Sequence, residues 1–163
     1  MLENLKKFQL NYQNYNCCIE DIMEKFNNMK IPEWQRNYVW TDEQASRLIQ
    51  SILLNLPVSS LVINYIFDYN NKDNHLVLID GLQRLTSIKR FVNNEFSLVG
   101  VKQELLGLTN KDIDLMKTIK WKTIPVIDPK LQTEREMIEF FITINESGTV
   151  MSKEHLDSVK KLV

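Results

Sequence analysis

Histidine and cysteine are scarce in this sequence, with two of each among 163 residues, and their placement excludes several chemistries. His75 and His155 are far apart and isolated, so neither a Cys/His zinc site nor the clustered histidines of an HNH-type nuclease is expected. Cys17 and Cys18 are adjacent. A disulfide between neighbours closes a ring too strained to help folding, so the thiols point to a reducing, intracellular setting. No apolar run reaches the about 18 residues that would span a bilayer, and no basic-then-apolar start marks a secretory leader. An excess of either charge is also missing, since 20 basic and 21 acidic residues leave a formal net charge of -1. A strongly basic nucleic-acid binder is thereby excluded, whereas a local basic patch is not. No repeat or low-complexity linker divides the chain, and its size and 44% apolar content suit one hydrophobic core.

The order of elements follows from periodicity and breakers. Residues 1–18 mix Lys, Asn and aromatics without a clean period and are expected to form an arm or an extra element; residues 19–163 are expected to form the domain. Ile19, Ile22, Met23 and Phe26 repeat at helical spacing, and Ile31-Pro32 must then be extended. Thr41 with Gln44 forms a capping box before the apolar stripe Leu48, Ile49, Ile52 and Leu53. Leu61 to Phe67 and Leu76 to Ile79 read as a hairpin of two strands, followed by a helix from about Leu85 to Val92. A short strand at Phe96 to Val99, a helix capped by Thr109, and a strand from Trp121 to Ile127 pushed to an edge by Pro125 come next. A helix from Thr133 to about Ile144 and one capped by Ser152 complete an α+β domain with a small mixed sheet flanked by helices.

The segment richest in chemistry is Asp80-Gly81-Leu82-Gln83-Arg84, where an apolar strand ends in an acid and a glycine and polar residues open a helix. At such a junction glycine permits close backbone approach, and the unpaired amides and dipole of the helix start favour an anion. Arg84 can add a bidentate contact to phosphate, Asp80 can hold a metal or orient a water, and Gln83 can position a phosphate oxygen or that water. The same five residues also suit a plain cap and turn, with Arg84 paired to a surface acid.

Two further segments carry candidates. Ile31 to Trp40 holds Trp34, Tyr38 and Trp40 with Gln35 and Arg36. Arg36 can reach a phosphate, and the aromatics are read first as anchors on the core and second as stacking platforms. Ile144 to Val150 ends a helix with Asn145, able to close a site by hydrogen bonding, and Gly148, suited to a positive-φ turn; an ordinary helix stop fits equally. Lys117, Lys120 and Lys122 around Trp121, joined by Lys89 and Arg90, can track a nucleic-acid backbone, although a solvated helix face is the preferred reading.

Taken in order, the motifs Ile-Pro-x-aromatic-Gln-Arg-x-Tyr-x-Trp, a capped helix ending in Leu-Pro, Asp-Gly-x-Gln-Arg-Leu-Thr and Asn-x-x-Gly resemble the N-terminal domain of GmrSD-type restriction proteins over about residues 19–157. That family is placed in the ParB/sulfiredoxin-like superfamily. The resemblance implies a single ParB/sulfiredoxin-like domain whose site binds, and often hydrolyses, a nucleoside triphosphate with Mg²⁺. By position, the binding roles fall on Gln35, Arg36, Gly81, Arg84 and Asn145, and the catalytic roles on Asp80 and Gln83, with Asp80 also the metal ligand. The family's glutamine is replaced here by Leu82, so binding is the firmer expectation and turnover the open one. Sulfiredoxins carry a reactive cysteine at that point, which Leu82 cannot replace. The resemblance further implies a role in DNA processing or phage–host defence, with DNA or a host or defence protein as additional partners. The alternative is a non-enzymatic module that binds such a partner.

Overall fold

A computed structural model describes residues 12–67, 74–113, 123–146 and 153–163. The chain runs through β1 (Gln13–Cys18), α1 (Ile19–Phe26), α2 (Asp42–Leu53), β2 (Leu61–Phe67), β3 (Asn74–Asp80) and α3 (Leu82–Val92). A 3₁₀ turn (Gln103–Leu105), α4 (Asn110–Ile113), β4 (Thr123–Asp128), α5 (Glu134–Glu146) and α6 (Lys153–Lys160) follow. The strands form one mixed sheet in the order β1-β4-β2-β3. β1 pairs antiparallel with β4, β2 antiparallel with β3, and β2 parallel with β4 through Leu61 and Val62. The architecture is α+β, a small mixed sheet flanked by helices.

Alternation along the central strands sends side chains to two cores, one on each face of the sheet. Leu61 and Ile63 of β2, Leu78 of β3, and Ile124 and Val126 of β4 pack with α1, α2 and α3 through Ile22, Phe26, Ile49, Leu85, Ile88 and Phe91. Val62, Val77 and Ile79 face the other way, onto Met137, Ile138 and Phe141 of α5 and Val159 of α6. A strand covered on both faces needs apolar residues at every position, which explains the unbroken run Leu76 to Ile79. Each buried Leu, Ile or Phe contributes about 1.5–3 kcal/mol of burial free energy.

Helix ends follow local chemistry. Thr41 and Gln44 exchange side-chain and backbone bonds in a complete capping box at the start of α2. Thr133 and Glu136 do the same at α5, where Glu136 Oε2 accepts from the backbone amides of Gln132 and Thr133 at 2.8 and 3.0 Å. Those backbone bonds, that from Gln132 first, hold the Glu136 carboxyl below its ordinary range.

Several elements depart from the sequence reading. Residues 13–18, expected to be an arm or an extra element, are the latter, the edge strand β1. Strand β4 is interior, lying between β1 and β2. Pro125 stands opposite Asn16 in the antiparallel ladder to β1 and outside the parallel ladder to β2, which takes in only Val126 and Ile127. Helix α3 begins at Leu82 instead of Leu85. Phe96 to Val99 is not a strand; Leu98 is clipped by backbone bonds to Leu108 and Gly107 at 2.8 and 2.7 Å. Among the described residues no helix is long and apolar enough to cross a membrane.

Candidate functional site

Strand β3 ends at Asp80, and Gly81 turns the chain into α3 with φ +116°. Two constraints require glycine there. An L side chain rarely adopts that φ, and a Cβ would lie 2.4 Å from Leu61 Cδ2. The tight turn sets the start of α3 directly on β2. Leu85 donates its amide to the Gly81 carbonyl, so the amides before it have no acceptor within the helix. Gly81 offers no side-chain cap to them.

Arg84 is 12% exposed and its guanidinium donates to Asp80 Oδ2 at 2.7 Å and to the Ser60 carbonyl at 2.8 Å. Asp80, 39% exposed, keeps part of its carboxylate open to solvent. The acid partner of Arg84 is thus the first residue of its own motif. Gln83 is buried, and its amide is directed at main chain. Its Oε1 accepts from Val39 and Trp40 amides at 2.9 and 3.2 Å, and its Nε2 donates to the Asn37 carbonyl at 3.0 Å. Gln35 likewise donates from Nε2 to the Leu78 carbonyl on β3. Arg36, the residue between these two anchors, is half-buried and makes no ion pair with any described residue. Asn145, near the end of α5, donates from Nδ2 back to the Phe141 carbonyl at 2.8 Å.

These residues line one cleft of about 360 Å³: Gln35, Arg36, Asp80, Gly81, Gln83, Arg84 and Asn145 all border it. They come from the turn and irregular segment before α2, the end of β3, the start of α3 and the end of α5. Trp40, Ser59, Leu82, Phe141 and Ile144 complete the wall and make much of it apolar. Trp40 belonged to the aromatic segment, and Phe141 and Ile144 to the helix expected from Thr133 to about Ile144; Ser59 gave no signal in the sequence. A larger, more open depression of about 720 Å³ between Trp34 and α6 is lined by none of Gln35, Arg36, Asp80 to Arg84 or Asn145.

The aromatic segment divides as its chemistry requires. Trp34 is buried against Phe141, with ring centroids 4.7 Å apart, and so anchors the segment to the core. Tyr38 bonds Ser87 Oγ at 3.0 Å and receives Arg90 at 3.2 Å. Hydrogen bonding to Tyr38 is the main influence raising the Arg90 guanidinium above its ordinary value. Arg90 also pairs with Asp42 and Glu95, so its charge is offset within the fold. Lys89 bonds Asn27 Oδ1 at 3.0 Å. Lys117, Lys120, Trp121 and Lys122 lie outside the described residues, as does Gly148. No group of three or more His, Cys, Asp or Glu able to hold a metal occurs among the described residues.

Residues 19–122 match the family described as GmrSD restriction endonuclease, N-terminal domain. The chain belongs to that family. The GmrSD N-terminal domain match takes in Gln35, Arg36 and the whole Asp80 to Arg84 motif and ends before Asn145. No curated protein matches the chain significantly. Among solved structures, a Pnob8-like ParB-N domain is similar at 17% identity and TM-score 0.43, over 93% of this chain and 44% of its own. The C-terminally truncated chromosome-partitioning protein ParB from Caulobacter crescentus, complexed with CTP-gamma-S, is similar at 12% identity and TM-score 0.45, over 85% and 56%. The chain therefore spans about half the length of these solved chains.

Proposed function

We propose that the cleft binds the phosphate chain of a nucleoside triphosphate, within a protein that works in DNA processing or defence. The observation that carries this reading is the meeting of Arg36, without a counter-ion among the described residues, and the uncapped first turn of α3 in one cleft. A helix start offers amides and positive potential to an anion, and an arginine beside it adds a charged fork. Arg84 is already offset by Asp80, so Arg36 supplies the larger share of attraction. The apolar wall of Trp40, Leu82, Phe141 and Ile144 suits the body of a nucleoside.

Among the described residues lining the cleft Asp80 is the one carboxylate, and it is shared with Arg84. Such a donor set fits Mg²⁺ only as an ion carried by the phosphates, which needs one or two carboxylates and keeps its waters. In this role Asp80 would hold the ion or orient a water, and the ion would neutralise phosphate charge. Leu82 brings no polar atom to the reaction, and Gln83 spends three hydrogen bonds on main chain, so binding exceeds turnover in this reading. The DNA or defence setting is proposed from the restriction endonuclease family to which the chain belongs.

Calorimetric titration with each of the four ribonucleoside triphosphates and Mg²⁺ tests the proposal. Saturable binding, weakened on the order of 10-fold or more by Arg36→Ala, is expected. Absence of binding with all four overturns it. Recovery of a stoichiometric protein partner whose binding tolerates Asp80→Ala with Arg84→Ala would instead favour a non-enzymatic interaction module.

A further inference from the structure

Gln83 sits in the first turn of α3 and is 8% exposed. Its three hydrogen bonds all go to the main chain of residues 37–40. That segment has no regular secondary structure, so these bonds supply partners that neither a helix nor a sheet provides. Farther along the same side of α3, Ser87 and Arg90 hold Tyr38 by its hydroxyl. On the other side of Arg36, Gln35 is tied to β3. Arg36 is therefore suspended between two fixed points, one on the sheet and one on α3.

We propose that Gln83 is a positioning residue: it pins residues 37–40 to α3 so that Arg36 is presented to the cleft. It acts on a bound phosphate through Arg36 and makes no direct contact of its own. The residue type fits the task. An amide accepts from the Val39 and Trp40 N–H groups while donating to the Asn37 carbonyl, a combination a carboxylate cannot provide. Removing it strands two main-chain amides and one carbonyl, and the segment that carries Arg36 loosens. The ligand-facing part of this inference rests on the nucleotide reading of the cleft.

Gln83→Met, which keeps the side chain's length without its hydrogen bonds, gives the test in two arms. In hydrogen exchange, the Val39 and Trp40 amides should exchange on the order of 10-fold faster, with β3 and α2 still protected. In a double-mutant cycle read by Mg–nucleoside triphosphate affinity, Gln83→Met should weaken binding on its own. It should add little in an Arg36→Ala background, because both changes remove one effect. Fully additive losses would show that Gln83 acts independently of Arg36 and would overturn the proposal. Unchanged protection of Val39 and Trp40 would overturn the pinning itself. If the wild-type protein binds no triphosphate, the nucleotide reading fails and takes the ligand-facing part with it; the exchange arm then still decides whether Gln83 holds the segment.

Discussion

Arg84 reaches back to Asp80 and holds its carboxylate at 2.7 Å, closing the turn at Gly81 with an ion pair whose cationic half is largely buried. The two partners are unequal. Asp80 retains access to water, whereas Arg84 without Asp80 would be a buried charge with, among the described residues, only the Ser60 carbonyl as partner. Asp80→Ala is therefore expected to destabilise the fold by about 1–3 kcal/mol, between the values for exposed and buried pairs. Urea unfolding measures this, and a change within about 0.5 kcal/mol would show that water replaces Asp80 at no cost.

Arg36 and Arg84 should separate in their effects. Arg36 has no ion-pair partner among the described residues, so Arg36→Ala should lower triphosphate affinity while leaving the urea midpoint nearly unchanged. Arg84→Ala should lower both, because Arg84 also ties α3 to Asp80 and to the Ser60 carbonyl. Equal destabilisation by the two substitutions would contradict this division.

Gly81→Ala is expected to cost on the order of 2–4 kcal/mol, from a strained positive φ and a Cβ contact at 2.4 Å with Leu61. Combining it with Leu61→Ala should be less than additive, since the smaller residue relieves the contact but not the φ. Thermal or urea unfolding of the single and double variants measures both terms.

Glu136 gives a pH signature. Its folded-state pKa lies below the ordinary value of 4.5 because backbone N–H groups bind the carboxylate. The capping contribution is thus complete above that value and is lost as the pH falls through the lowered folded-state pKa. The stability difference between wild type and Glu136→Gln should be present at about pH 7 and shrink toward about pH 3. A difference that grows on acidification would contradict the assignment.

Much of this arrangement was legible in the sequence because it rests on local signals. The box at Thr41 and Gln44, the apolar run into Asp80, and the glycine after it define α2, β3 and the turn directly. Strand β1 was not legible because Gln13 to Asn16 are exposed polar or aromatic residues with no alternation; pairing with β4 makes the strand. Pro125 misled for a related reason. A proline restricts one ladder position, and whether that position matters depends on where the neighbouring strand begins to pair. In the cleft, sequence supplied residue identities and their order, but not the directions of their side chains. The amides of Gln35 and Gln83 turn to main chain dozens of residues away, a relationship that only the folded path of residues 30–40 creates.

Phosphate held at the Gly81 turn beside Arg36 is the proposal on which the others depend. Amide chemical-shift mapping during titration with Mg–nucleoside triphosphate tests it most directly, by locating the ligand as well as detecting it. Saturable shifts concentrated at Arg36 and at Gly81 to Arg84 are expected. Saturable shifts confined to the depression between Trp34 and α6, or no shifts with any of the four nucleotides, would contradict it.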